Sequence, residues 1–276
     1  MGREVKAFKT IDEQIEYLQI NKSMKVCDIE LAYKFLLDNN YYNVVSCGKI
    51  KFAEMIECGK FKYGESRFVD WIQYFETDRR ISEHLIINVL NFEQTINSRV
   101  AYYISELMET GTLNISECDA IKQIIQNSKN VDGIKFQCYS GCETWTYITK
   151  MMFGNMKNLI FWLLENKCDI YGEIIKGYPF LAIEDSTNEK KRTKIRARLN
   201  EINNLRNKLF HFTPLNIYLV YGKNSGGTLN NNEKRQIVKW VYRLGGNQER
   251  FLELEQTCNY SKKFIKMKKR PTTSVD

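Results

Sequence analysis

Residues 66–110 read SRFVDWIQYFETDRRISEHLIINVLNFEQTINSRVAYYISELMET, and from Ser66 to Thr110 there is neither glycine nor proline. Within that stretch Trp71, Phe75, Leu85, Val89, Phe92, Ile96, Val100 and Ile104 keep a three-and-four spacing, which stacks them on one face of a helix. The spacing predicts one very long helix or two nearly collinear ones, closed by Gly111. The same punctuation continues on both sides. Thr10-Ile11-Asp12-Glu13 reads as a capping box for a helix to about Ile20, and Asp28 caps a second to about Asn39. Residues 41–52 fit either a helix or an extended connection.

Downstream, Ser116 caps a predicted helix to about Ser128. Residues 143–165 carry Trp145, Phe153 and Trp162 on a helical segment broken at Gly154. Tyr171 to Ala182, with Gly172, Gly177 and Pro179, reads as an irregular connection. Ser186-Thr187-Asn188-Glu189 opens a helix that runs to about Phe212, because Pro214 disfavours helical geometry at Thr213. Leu199, Ile202, Leu205 and Leu209 form its inward stripe. A polar Gly/Asn loop (222–232), helices over 233–244 and 247–267, and a frayed tail complete the chain. The expectation is an all-α protein divided into 1–62, 63–246 and 247–276.

The sequence has 276 residues, of which 43% are hydrophobic and 13% aromatic, enough for a packed interior. The longest apolar run, Leu159 to Leu164, is far too short for a bilayer, and the first residues are charged rather than signal-like. A soluble, cytoplasmic protein with no membrane partner is expected. Its eight cysteines show no pairing pattern, and the Cys138/Cys142 pair lacks the further ligands of a zinc site, so no disulfide, metal or cofactor is expected. The segment Gly222 to Gly227 lacks the lysine placement of a phosphate loop.

The net charge is +8, from 41 basic and 33 acidic residues, and it is uneven. Lys190, Lys191, Arg192, Lys194, Arg196 and Arg198 form one basic run and Lys262 to Arg270 another. Such runs attract phosphate backbones, although a solvated helix face gives the same pattern. The first run leads straight into Arg206-Asn207-Lys208-Leu209-Phe210-His211. An arginine able to neutralise a phosphate next to a histidine able to move a proton is the smallest kit for cutting RNA. The other histidine, His84, also follows an arginine by five, so spacing alone decides nothing. His84 sits mid-helix without a companion of the Asn207 type.

Several landmarks together resemble the abortive-infection (Abi) family, the AbiD/AbiF-like bacterial defence proteins of the HEPN superfamily. They are Phe8 to Ile15, Phe35-Leu36-Leu37, Asn39 to Tyr42, Asp78-Arg79 followed by Glu93, Trp145, Phe153-Gly154, then Leu205-Arg206-Asn207, His211 and Asn216. The chain departs from the pattern at Asn97, at Thr149 and at Phe210. The resemblance implies a HEPN-like helical bundle with an N-terminal helical extension and extra C-terminal helices. It also implies a metal-independent endoribonuclease, commonly dimeric, in antiphage or toxin-antitoxin roles, with a structured noncoding RNA as partner of some relatives. On this reading His211 transfers a proton, Arg206 stabilises the phosphate and Asn207 orients the imidazole, while Glu93 supports an arginine. Arg206 could instead pair structurally with Glu201 or Glu93, and His211 could simply cap a helix. The rival function is an RNA-binding protein without catalysis.

Overall fold

The computed structural model describes residues 9–57, 60–64, 66–128, 141–182, 188–221 and 229–269. Helices α1 (Ile11–Ile20), α2 (Ile29–Asp38) and α3 (Tyr41–Phe52) precede a hairpin of β1 (Glu54–Glu57) and β2 (Lys60–Lys62). Then come α4 (Phe68–Glu109), α5 (Ile115–Gln126), α6 (Gly141–Thr149), α7 (Phe153–Asn166), α8 (Cys168–Ile174) and a 3-10 turn (Pro179–Leu181). The chain ends with α9 (Glu189–Phe210), α10 (Leu215–Tyr221), α11 (Asn231–Leu244) and α12 (Phe251–Lys269). The all-α expectation holds apart from the hairpin. That hairpin pairs Glu54 with Lys62 and turns Phe61 inward, a period-two pattern over three residues that a sequence cannot separate from chance.

The gap-free stretch is a single 42-residue helix. Thr10 and Glu13 form the anticipated capping box, and Asp28 Oδ1 accepts from Leu31 N. Elsewhere local chemistry overrode the reading. Asn114, not Ser116, caps α5, through a reciprocal box with Glu117. Gly154 lies inside α7, and the helical break falls at residues 150–152 instead. Residues 171–182 are mostly ordered, with α8 covering Gly172 and Pro179 opening the 3-10 turn. Ser186 and Thr187 lie outside the described residues, as do Cys138, the side chain of Cys142 and the segment 222–228. α9 stops at Phe210, two residues short of the expected end, and α12 starts at Phe251 rather than Asn247. No described helix is long and apolar enough to cross a membrane.

The chain separates into two compact units that interleave in sequence. The first holds Met1–Leu85, Lys208–Gly222 and Gly246–Asp276, the second Ile86–Asn207 and Lys223–Gly245. Both boundaries within α4 and α9 fall inside continuous helix, where no glycine, proline or shift of composition could announce them.

In the first unit α1, α2, α3, the hairpin and the start of α4 close around Leu18, Ala32, Val44, Trp71 and Phe264. Trp71 is fully buried, donates through Nε1 to Ser66 Oγ at 2.9 Å, and stacks on Phe52 with centroids 5.7 Å apart. Its ring lies so close to Gly48 of α3 that a Cβ there would sit 2.2 Å from Trp71 Cε3. Glycine is thus required for contact between the two helices, despite its poor helix propensity. In the second unit Phe92 is the hub, with Phe153 and Tyr178 edge-on at 5.6 and 4.8 Å.

Propensity alone makes Gly48→Ala stabilising by up to about 1 kcal/mol, whereas overpacking against Trp71 makes it destabilising by about 1–3 kcal/mol. Urea unfolding should return the second sign. A more stable variant would show that α3 and Trp71 are not in close contact.

Candidate functional site

The stretch 206–211 forms the end of α9, and its geometry follows from how that helix stops. Phe212 N donates to Leu209 O and Thr213 N to Lys208 O, both at 3.0 Å, with Phe212 at φ 52°. This is the double bond of a Schellman closure, with Phe212 where glycine is usual and His211 at the last half-helical position. His211 is exposed and Phe212 is 83% exposed. The helix-cap reading of His211 is therefore correct for its backbone, and its imidazole remains at the surface.

The strand of chain after the closure is held from α4. Asp78 accepts from Leu215 N at 2.7 Å and from Asn216 N at 2.9 Å, closing the first turn of α10. Asn216 in turn donates through Nδ2 to Cys47 O and Sγ of α3, both at 3.1 Å. Asp78 is 2% exposed, and burial pushes its carboxyl up to about 7 against the pull of the two backbone donors. Thus Asp78 and Asn216, distant in sequence, hold the turn that follows His211.

In the second unit Arg206 is half-buried, and its Nε donates to Glu93 Oε1 of α4 at 3.1 Å. Burial raises the Glu93 carboxyl while the Arg206 guanidinium pulls it back. Of the two carboxylates considered for Arg206, Glu93 is the partner. Glu201 faces Lys234 Nζ at 3.7 Å, with both side chains essentially buried. Asn207 is exposed, and its Oδ1 accepts from Arg206 Nη1 at 3.4 Å. Its amide thus braces the guanidinium, in place of the expected role of orienting the imidazole.

The basic run is not one uniform stripe. Lys190 and Lys191 are exposed, but Lys194 pairs with Glu233 at 2.9 Å. Arg196 is clamped by Glu165 and, at 3.3 Å, by Glu189. Arg198 turns inward and donates to Phe180 O at 2.5 Å, and Arg192 is half-buried. A helix turning 100° per residue spreads such a run around its circumference, so part of it meets neighbouring acids and carbonyls. Arg196 and Arg198 are therefore structural, which corrects their assignment to RNA binding.

His84 is half-buried in mid-helix, and its Arg79 is tied to Glu83 at 3.2 Å and Glu76 at 3.8 Å on the same helix. Arg99, near the departure at Asn97, donates to Ile174 O and Lys176 O at 2.8 and 2.7 Å, closing the end of α8. Phe212 escaped the sequence reading. The only signal was an aromatic pair flanking the histidine before a proline.

No family model, no curated protein and no solved structure matches this chain. The site must be argued from its own geometry.

The Asp78 clamp gives stability a pH dependence whose sign is fixed. Because the folded carboxyl titrates at about 7, above its unfolded value of about 3.9, its contribution is complete below about pH 4 and is lost as pH rises through 7. Asp78→Asn removes that slope, at most about 1.4 kcal/mol per pH unit between those limits. Urea midpoints of both proteins from pH 5 to 8 check it. Parallel curves would mean that Asp78 is held ionised throughout.

Proposed function

We propose that this chain is a metal-independent endoribonuclease of the HEPN type, as in the AbiD/AbiF-like defence proteins it resembles, acting in an antiphage or toxin-antitoxin system. The observation that carries the reading is the Glu93–Arg206 ion pair at 3.1 Å, in a six-residue stretch whose histidine is exposed at the helix end. An arginine fixed through its Nε edge is oriented before substrate arrives, which spares ordering entropy on binding. The other Arg-x4-His match lacks this arrangement, since Arg79 bonds only to glutamates on its own exposed helical surface.

The chemistry needs no metal. The ribose 2′-hydroxyl oxygen bonds to the adjacent phosphorus as the P–O5′ bond breaks, a base takes the 2′-hydroxyl proton, and an acid protonates the departing 5′-oxygen. The products are a 2′,3′-cyclic phosphate and a 5′-hydroxyl. His211 supplies one proton-transfer group and Arg206 stabilises the charge that builds on the phosphate oxygens. One chain offers a single histidine in this setting, so the second comes from a second copy in a homodimer. Phe212 provides a face on which a base adjoining the scissile bond stacks. Lys190, Lys191 and Lys194 then hold flanking phosphates, with Lys194 leaving Glu233 to do so.

The alternative is an RNA-binding protein that retains a structured noncoding RNA without cutting it. Lysines set over tyrosines and phenylalanines favour it, among them Lys22 near Tyr17 and Tyr63, Lys49 over Phe61 at 3.8 Å, and Lys268 over Tyr221 at 4.6 Å. Such pairs suit RNA contact whether or not cleavage follows.

His211→Ala should lower the cleavage rate by about 10²–10⁴-fold with RNA affinity nearly unchanged, and products of the parent protein should end in cyclic phosphate. Equal rates for the two proteins, or salt-sensitive binding with no products from either, would leave the binding reading. Phe212→Gly separates fold from function at the same turn. It should stabilise the chain by up to about 1–2 kcal/mol by relieving the left-handed strain, while weakening RNA binding several-fold.

A further inference from the structure

The first unit contains a cavity of about 360 Å³, walled by the end of α3, the first turns of α4 and the middle of α12. Its volume lies in the range of small-molecule sites. Three rings frame it. Phe52 and Tyr74 meet edge to face at 5.9 Å and 81°, and Tyr74 and Tyr260 at 5.8 Å and 89°. Lys51 Nζ stands over all three, at 4.8, 5.0 and 5.2 Å from the centroids of Phe52, Tyr74 and Tyr260. An aromatic box of this kind ordinarily receives a ligand cation, but here the chain's own ammonium fills that role.

The charges around the cavity then decide what ligand would fit. Asp70 is bound by Arg67 at 2.7 Å, and Glu253 Oε1 lies 3.7 Å from Arg80. Among the described residues, Lys51 has ring contacts but no carboxylate within ion-pair distance. Burial lowers its proton affinity, as expected of a cation set against rings. The cavity therefore offers a positive charge to an anion. It also offers one acceptor. Glu253 Oε2 is buried and accepts no hydrogen bond, an arrangement that costs free energy until a donor arrives. Gln73 and Gln256 line the same space with amides able to donate and accept at once.

We propose that this cavity binds an adenine nucleotide, with its phosphate on Lys51, its exocyclic amine donating to Glu253 Oε2, and its ring nitrogens met by the Gln73 or Gln256 amide. A single available carboxylate oxygen suits the one amino group of adenine. Guanine presents two donors side by side and needs both oxygens, one of which faces Arg80. The nucleotide is either free in solution or a residue of an RNA strand. The inference stands apart from the ribonuclease reading, since no residue of the 206–211 stretch takes part.

Calorimetric titration of the full chain with AMP, GMP and a four-residue oligoadenylate tests it. AMP should bind about tenfold tighter than GMP, and Lys51→Met and Glu253→Gln should each weaken AMP by about tenfold, as loss of one charged hydrogen-bond partner does. Gln73→Ala should weaken it a few-fold. These positions are on the surface, so thermal melting should stay within a few degrees of the parent and separates lost binding from lost fold. Oligoadenylate that binds tightly, is displaced by AMP and is weakened by Lys51→Met would support RNA as the source, and AMP binding alone would support the free nucleotide. Equal affinity for AMP and GMP, or AMP binding unchanged in Lys51→Met, or no binding of either adenylate at millimolar concentration, would overturn the proposal.

Discussion

A buried carboxylate with two backbone amides on it organises the part of the chain that matters most. Asp78 closes the first turn of α10, and Asn216 at that same turn reaches Cys47 of α3, so that three helices far apart in sequence meet at one polar point. The surroundings are apolar, and an unsatisfied amide there would cost several times what the bond contributes to stability. The junction is therefore close to all-or-none. Whatever fixes α10 also fixes the short loop before it, and with that loop the end of α9.

That dependence explains which parts of the molecule were legible in the sequence. Helices declare themselves through their own residues, so the 42-residue α4, the Thr10/Glu13 box and the Asp28 cap could be read directly. What could not be read is what depends on partners remote in sequence. Asn114 takes the cap from Ser116 because Glu117 can reach back to it, and Gly154 stays helical because α7 is packed along its length. The division of the chain into units lies within continuous helix and leaves no trace in composition.

The candidate site divides the same way. Its residue types and spacing were visible, and the Glu93–Arg206 pair was foreseen as one of two choices. The choice itself needed Lys234, which occupies Glu201 from α11. The basic run misled for a related reason. Six cations in nine residues look like one surface in a string of letters, yet a helix distributes them, and Glu165, Glu189 and the Phe180 carbonyl take two of the arginines inward. Only the lysines at its start remain presented to solvent without such ties to shape them.

The left-handed residue that ends α9 has a wider consequence. In an isolated molecule, glycine at 212 would close the helix with less strain, and almost nothing inside the protein touches the phenyl that stands there instead. A side chain that makes its own folding slightly worse gains its reason for being there from outside the monomer. The turn is thus better described as the protein's half of a contact whose other half is a different molecule.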